Sequence, residues 1–170
     1  MAILAVLFDL GNTLVDYYAS NEFPVVLRRC LRECSLMLGR AHDSTLDSEL
    51  LERALLLNQE RPDYAVRPLT NRLQELFGGH ERFDEPTVRA LEAAFLRPIF
   101  ATAKPNVQAG PVLDTLRGLG IKTAIVSNTP WGSPSSAWRE ELTRHGLLAR
   151  VDATVFLHGC GVAQTASCPF

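Results

Sequence analysis

The order of hydrophobic and polar positions divides the chain into three parts. The first is an apolar run over residues 3–8, which ends at Asp9 and is followed by the turn-forming residues Gly11 and Asn12. A short apolar run bounded by turn residues is typical of a fully buried strand in a parallel sheet. Asp9 would then lie at the carboxyl end of that strand, where open α/β sheets bind their ligands. The alternative is that Asp9 only begins a turn.

The second part, residues 17–100, repeats apolar positions at helical spacing. It predicts four amphipathic helices and no strand, over about residues 22–39, 44–59, 69–77 and 84–98. Gly39 is placed to end the first helix, and Pro98 is expected to close the fourth. Arg28, Arg29 and Arg32 are interpreted as a solvated helix face, with the alternative that one of them reaches an anionic substrate.

The third part alternates between helical and strand patterns. Helices are predicted over about residues 110–119 and 137–145, and strands over 121–126 and 151–156. Strands that alternate with helices are typical of a parallel α/β sheet with right-handed crossovers. The helical block after the first strand is therefore interpreted as an insertion into an α/β core.

Polar side chains follow two strands of this predicted sheet. Asp9 and Thr13 follow the first strand, and Ser127 and Asn128 end the second. These residues should meet at the carboxyl edge of the sheet, where Asp9 can act as a nucleophile. The backbone amides of residues 10–13, with the hydroxyls of Thr13 and Ser127, would form an anion cradle. Such a site suits displacement at phosphorus, or at carbon that carries a good leaving group, and a phosphoryl group would also need a cation such as Mg²⁺.

Composition narrows the range of partners. Hydrophobic residues make up 46% of the chain, charged residues 21%, and the net charge is -2. These values are ordinary for a globular protein and indicate neither a nucleic-acid nor a membrane surface. The opening apolar run lacks the features of a signal peptide, so we expect a cytoplasmic protein. Cys30 and Cys34 lie on one face of a predicted helix, and we interpret them as buried core residues.

The two polar strand ends resemble sequence motifs of a known family. Residues 8–14, Phe-Asp-Leu-Gly-Asn-Thr-Leu, resemble the first motif of the haloacid dehalogenase-like (HAD) superfamily, and residues 125–128, Ile-Val-Ser-Asn, resemble its second. The helical insertion between them resembles the family's cap. The resemblance implies a three-layer Rossmann-like parallel sheet with an inserted α-helical cap. Residues 1–16 and 101–156 would form the core, residues 17–100 the cap, and residues 157–170 an anomalous tail.

The resemblance also implies roles for individual residues. Asp9 would be the nucleophile, and Thr13 with the backbone of Leu10, Gly11 and Asn12 would bind the transferred group. Ser127 and Asn128 would hold its oxygens. With Mg²⁺ as cofactor, Asp9 and the Gly11 carbonyl would be ligands. The implied activity is hydrolysis of a small phosphorylated metabolite through an aspartyl intermediate; the oligomeric state stays open.

Gly11 departs from the phosphatase pattern. The phosphatases usually carry a second Asp there, which serves as the general acid and base, and glycine cannot transfer a proton. The dehalogenase branch also lacks this Asp and works without a metal. A metal-independent 2-haloacid dehalogenase, with a haloacid as substrate, is therefore the alternative activity.

The sequence after Phe156 departs further. The family places a Gly-x-x-Lys-Pro loop there and an acidic strand beyond it, whereas residues 157–170 contain no lysine and no carboxylate. One set of synonymous codons for residues 157–165, read from the second base, encodes Cys-Thr-Asp-Ala-Gly-Trp-Arg-Lys-Pro. We therefore hypothesise a truncation or frameshift after Phe156, with the last core strands missing. We expect this chain to be weakly soluble or to depend on a partner for its stability, and to have impaired activity. The remaining alternative is that the chain is a non-catalytic remnant of an enzyme.

Overall fold

Five short strands are present in a computed structural model, which describes residues 3–40, 44–58, 66–79 and 82–157. They are β1 (Ala5–Phe8), β2 (Val15–Asp16), β3 (Lys104–Pro105), β4 (Lys122–Asn128) and β5 (Ala153–Leu157). The first, fourth and fifth form a parallel sheet in the order β1-β4-β5. The other two form a separate antiparallel pair.

Six α-helices lie within the described residues. They are α1 (Phe23–Met37), α2 (Ser44–Leu57), α3 (Leu69–Phe77), α4 (Glu85–Ala101), α5 (Ala109–Gly118) and α6 (Ser135–Arg144). The fold class is therefore α/β, as predicted. None of these helices is both long enough and apolar enough to cross a membrane.

Helices α1 to α4, here called the helical segment, lie between β2 and β3 along the chain. α1 packs against both α4 and α2, and α3 packs against α4. α1 buries Val26, Leu27, Cys30, Leu31 and Cys34 along one side. These positions recur three or four residues apart, so they form one stripe on the helix surface. The prediction of helices without strands is confirmed for the part of residues 17–100 that the structure describes.

The predicted end of the fourth helix is wrong. Pro98 lies inside α4, which continues to Ala101. Proline in a helix interior removes one backbone hydrogen bond and costs roughly 3 kcal/mol. Leu96 and Ile99 on either side of it are 2% and 3% exposed. Burial of two such side chains contributes about as much as the proline costs, so packing keeps the last turn helical.

The prediction that the first strand is fully buried is also wrong. Leu4 and Leu7 are 78% and 69% exposed, and Ile3 is 70% exposed. Within the described residues β1 pairs only with β4 and is therefore an edge strand. An apolar run without alternation indicates a strand, but it does not reveal whether neighbours are present to bury it.

The short pair β2–β3 joins the helical segment to the sheet. Val15 pairs with Pro105 and Asp16 with Lys104 in antiparallel register. The two connections that enter and leave the helical segment therefore run side by side. Two-residue strands have no detectable period, which is why the hydrophobic pattern did not predict them.

Cys30 and Cys34 are free cysteines and are 1% and 0% exposed, as predicted for core residues. Burial is the main cause that raises the pKa of the Cys30 thiol to about 12 and raises that of Cys34 as well. Because the thiolate is the reactive form, we expect iodoacetamide at pH 8 to alkylate both roughly a hundredfold more slowly, or slower still, in the folded chain than in urea. Peptide mapping by mass spectrometry measures both rates. Equal rates in the two states would contradict the buried placement.

Candidate functional site

The parallel register of β1 and β4 brings the two predicted polar clusters to one edge of the sheet. Phe8 is paired with Ile125, and the strands run in the same direction. Asp9 is the next residue after Phe8, and Ser127 and Asn128 are the last two residues of β4. Asp9 and Asn128 are exposed, whereas Ser127 is 8% exposed. The nucleophile predicted from the sequence therefore lies beside the residues predicted to bind the transferred group.

One carbonyl group organises the turn after Asp9. The Leu10 carbonyl accepts hydrogen bonds from the N–H groups of Thr13, Leu14 and Val15 at 3.3, 3.0 and 3.1 Å. The Asn12 N–H donates to the Val15 carbonyl at 2.7 Å. Two of the four amides predicted to form the anion cradle, those of Asn12 and Thr13, are thus hydrogen bonded inside the turn. The amides of Leu10 and Gly11 make no bond within it.

Asn12 connects this turn to the start of the helical segment. Its φ is 56°, in the left-handed region that Asn tolerates better than most residues. Its side-chain oxygen accepts from the Tyr17 N–H at 3.3 Å, and its Nδ2 donates to the Tyr18 carbonyl at 3.2 Å. Its role in the structure is therefore to hold the turn, in addition to the binding role predicted for it.

Asn106 holds the same turn from the other connection. Its Nδ2 donates to the Thr13 carbonyl at 3.4 Å, and its N–H donates to the Leu14 carbonyl at 2.9 Å. Sequence reasoning did not single out Asn106. Its only signal was its place after Lys104-Pro105, where the helical pattern stops.

The end of β4 is held by its neighbour in the sheet. The Thr129 N–H and hydroxyl both donate to the Leu157 carbonyl at 3.2 Å. The Ser127 hydroxyl donates to the Asn128 carbonyl at 3.3 Å. Ser127 is thus positioned at a well-fixed strand end, although its hydroxyl hydrogen is engaged locally.

Gly11 occupies a half-buried position with free space beside it. A Cβ atom built on Gly11 would meet nothing within 4 Å, and its φ is not positive. Neither strain nor crowding therefore requires glycine there. Within the described residues, no group of three His, Cys, Asp or Glu side chains could hold a metal ion. The two donors predicted for Mg²⁺ are the Asp9 carboxylate and the Gly11 carbonyl. Mg²⁺ commonly takes one or two protein oxygens and keeps several waters, so this pair is compatible with it.

A strained turn after β4 contacts the helical segment. Trp131 and Gly132 have φ of 58° and 66°, and Trp131 is 6% exposed. The indole lies 5.2 Å from the Phe95 ring of α4 and 5.1 Å from the guanidinium of Arg72 in α3. A Cβ on Gly132 would lie 2.1 Å from the Arg67 carbonyl oxygen. Sequence reasoning missed this contact, although a tryptophan before glycine in a turn was a visible signal.

A second aromatic contact packs the first connection and the end of α4 against α6. Tyr17 and Phe100 each pack edge-on against Trp138, at 5.5 and 5.1 Å. Burial raises the pKa of the Tyr17 hydroxyl, and the negative charge of Glu141 adds to this effect. Glu141 is itself buried and pairs with Arg144 and His145 at 2.6 and 2.8 Å. The cluster therefore anchors the helical segment to the sheet.

A cavity of about 810 Å³ lies along the two connections. Its lining includes Asn12, Asp16, Tyr18, Arg29 and Lys104. A neighbouring cavity of about 460 Å³ also includes Arg29, together with Arg32. Arg28 lines neither of these two cavities. Of the three arginines considered from the sequence, Arg29 and Arg32 thus line concave surface, and Arg29 shares a cavity with Asn12 of the turn that follows Asp9.

No protein-family model matches the chain, and no curated protein matches it. Solved structures do. A HAD phosphatase from Thermococcus onnurineus matches at 22% identity and a TM-score of 0.54, with 91% of this chain and 62% of that one covered. A Thermotoga maritima protein assigned as a beta-phosphoglucomutase matches at 20% identity and 0.51, with 91% and 61% covered.

A magnesium-bound structure assigned as a HAD-hydrolase, from Bacillus subtilis, matches at 15% identity and a TM-score of 0.51, with 92% of this chain and 64% of that one covered. These matches show that the chain has the HAD-like, Rossmann-like fold that the motifs implied. The chain spans about three fifths of the length of the structures that it matches.

Two replacements of Asn12 separate the contribution of its side-chain hydrogen bonds from the contribution of its left-handed backbone conformation. Asn12→Gly removes the side-chain bonds to Tyr17 and Tyr18 but favours a positive φ, so we expect a loss of about 1 kcal/mol of unfolding free energy. Asn12→Ala removes the bonds and strains the backbone, so we expect about 2 kcal/mol. Urea denaturation measures both. A larger loss for the glycine variant than for the alanine variant would contradict the assigned backbone role.

Proposed function

We propose that the protein hydrolyses small phosphate monoesters through a phosphoaspartyl intermediate on Asp9. The observation that carries this proposal is the parallel register, which places an exposed carboxylate beside the Ser127-Asn128 strand end. The fold shared with a HAD phosphatase adds support. In this proposal residues 1–16 and 101–156 form the core, and residues 17–100 form a cap that selects the substrate and excludes water.

The first step would be attack of an Asp9 carboxylate oxygen on phosphorus. A phosphorus–oxygen bond to Asp9 forms as the bond to the leaving group breaks. The Leu10 and Gly11 amides, which the turn leaves free, and the Thr13 and Asn128 side chains would hold the phosphoryl oxygens. Mg²⁺, held by Asp9 and the Gly11 carbonyl, would offset the phosphoryl charge when bound.

The second step would be attack of water on the phosphorus of phospho-Asp9. The Asp9–phosphorus bond breaks, inorganic phosphate leaves, and the carboxylate is restored.

In the first step the departing alkoxide must take up a proton. The residue two positions after the nucleophile, Gly11, cannot supply it, so the proton comes from water. The rate should then depend steeply on the basicity of the leaving group.

The nucleophile assignment is tested by Asp9→Asn. The amide cannot form the acyl phosphate, so we expect phosphate release from p-nitrophenyl phosphate to fall to the uncatalysed background. Borohydride reduction after rapid quench should convert phospho-Asp9 to homoserine, which mass spectrometry detects in the unchanged chain only.

Asp114→Asn is the matched control, because this exposed carboxylate lies on α5 and pairs with Arg150, away from the site. We expect it to keep the rate of the unchanged chain. Turnover by the Asp9→Asn variant would contradict the proposal. So would an unchanged chain that releases no phosphate and shows no homoserine at position 9 after borohydride reduction.

Gly11→Asp should add the missing general acid. The structure has room for the side chain, because a Cβ at this position meets nothing within 4 Å. We expect kcat for an alkyl phosphate to rise by about 10²-fold or more, and kcat for p-nitrophenyl phosphate to rise much less, since its leaving group needs no proton. Gly11→Asn, similar in size but unable to transfer a proton, is the control. Equal gains for the two variants would show that the effect is not proton transfer.

Gly11 also supports a second candidate, a metal-independent 2-haloacid dehalogenase. Displacement of halide from carbon needs no acid to protonate the leaving group, so glycine at this position is not a handicap for it. Halide release from 2-chloropropionate in the presence of EDTA would favour this activity. Phosphate release that requires Mg²⁺ and is absent in EDTA would favour the phosphatase.

A further inference from the structure

The cavity along the two connections has charged residues of both signs in its lining, and the charge of Arg29 is not offset by any of them. Lys104 lies directly opposite Asp16 in the antiparallel register of β2 and β3, so these two charges offset one another. The Glu22 carboxylate accepts a hydrogen bond from the Ala19 N–H at 2.8 Å. Within the described part of the chain, the Arg29 guanidinium takes part in no hydrogen bond or ion pair.

The neighbours of Arg29 along α1 explain why it has no partner. Glu33 follows it at the i,i+4 spacing at which opposite charges on a helix can pair. The Glu33 carboxylate is instead 2.8 Å from the Arg97 guanidinium of α4. Arg32, at the i,i+3 position, has the same charge as Arg29, and like charges at this spacing repel. An anion bound beside Arg29 would reduce this repulsion.

Two adjoining cavities meet at Arg29. Arg29, Ala101 and Thr102 line both the cavity of about 810 Å³ and the neighbouring one of about 460 Å³, whereas Arg32 lines only the second. A ligand in the larger cavity therefore meets unpaired positive charge where that cavity joins the smaller one.

The larger cavity also reaches the candidate site. Asn12, three residues after Asp9, belongs to its lining, as do the partly apolar side chain of Tyr18 and the apolar side chain of Val25. Its volume is within the range of pockets that hold small molecules, several hundred to about 1,000 Å³. It has room for much more than a phosphoryl group, so the rest of a substrate can extend along it.

We propose that Arg29 determines the specificity of the site by binding a second anionic group of the substrate, a carboxylate or a second phosphate. The planar guanidinium presents paired donors that match the oxygens of both groups. In this arrangement the phosphoryl group reacts at Asp9 and the carbon chain lies along Tyr18 and Val25. The substrate class is then small phosphate esters with an anionic group at each end. This inference rests on the proposed phosphatase activity.

Arg28 provides an internal comparison for this assignment. It carries the same charge as Arg29, is the adjacent residue on α1, and is likewise exposed, but it lines neither cavity. If Arg29 acted only through the general positive charge of this helix, replacement of Arg28 would have the same effect. If Arg29 contacts the ligand, only its own replacement matters.

The test measures the affinity of three phosphonates that share a six-carbon chain. Hexane-1,6-bisphosphonate and 7-phosphonoheptanoate have a second anionic group, and hexylphosphonate has none. Their carbon–phosphorus bonds are not hydrolysed, so titration calorimetry in buffer with Mg²⁺ measures binding without turnover. We expect the unchanged chain to bind at least one of the first two about tenfold more tightly than hexylphosphonate, or tighter still. Which of the two binds more tightly distinguishes a second phosphate from a carboxylate.

The variants locate the second anion. We expect Arg29→Gln to reduce the preference to about twofold or less, because the paired donors are lost, and Arg29→Lys to retain part of it. Arg28→Gln should keep the full preference. Circular dichroism confirms that the variants fold. Equal losses in Arg28→Gln and Arg29→Gln would overturn the assignment, because they would show a general charge effect.

Turnover of p-nitrophenyl phosphate by the same preparations separates this inference from the proposed function. A chain that releases phosphate but binds the three phosphonates equally would overturn the role of Arg29 and leave the phosphatase activity intact. A chain that keeps the preference but releases no phosphate would overturn the phosphatase activity and support an anion site at Arg29.

Discussion

The parallel pairing of β1 with β4 is the constraint on which the rest of the molecule depends. Because both strands point the same way, their carboxyl ends meet at one edge, and Asp9 arrives beside Ser127 and Asn128. An antiparallel pairing would send these residues to opposite ends of the sheet. The chain between the two strands is then free to form its own helical structure, provided that it returns close to where it left.

Two kinds of contact make that return possible. The backbone pair β2–β3 and the bonds of Asn106 to the Thr13 and Leu14 carbonyls hold the two connections together. Side chains then fix the helical segment to the core, through Tyr17 and Phe100 on Trp138 and through Trp131 on Phe95. The positive φ of Trp131 costs of order 1–3 kcal/mol, and its burial between α3 and α4 offsets this cost. Packing therefore holds the turn beside the candidate site in an otherwise unfavourable conformation.

The sequence predicted the features that a local pattern can encode. Helical spacing predicted α1 to α4, and polar residues at two strand ends predicted the cluster at the sheet edge. Features that depend on distant partners were not predictable in this way. Pro98 was expected to end its helix because a single residue shows the lost hydrogen bond but not the buried Leu96 and Ile99. The roles of Asn106 and Trp131 depend on contacts with residues far away in the chain, and no local period reports such contacts. The hypothesis of a frameshift after Phe156 concerns residues 157–170, of which residues 158–170 lie outside the described part of the chain.

The exposure of β1 follows from its place at the edge of the described parallel sheet. In open α/β sheets a ligand binds where connections from one strand go one way and those from its neighbour go the other, because the crevice opens between them. Here both described connections of the parallel sheet step in the same direction, from β1 to β4 and from β4 to β5. Among the described residues it is therefore the register of β1 and β4, and not a divergence of connections, that brings Asp9 to Ser127 and Asn128.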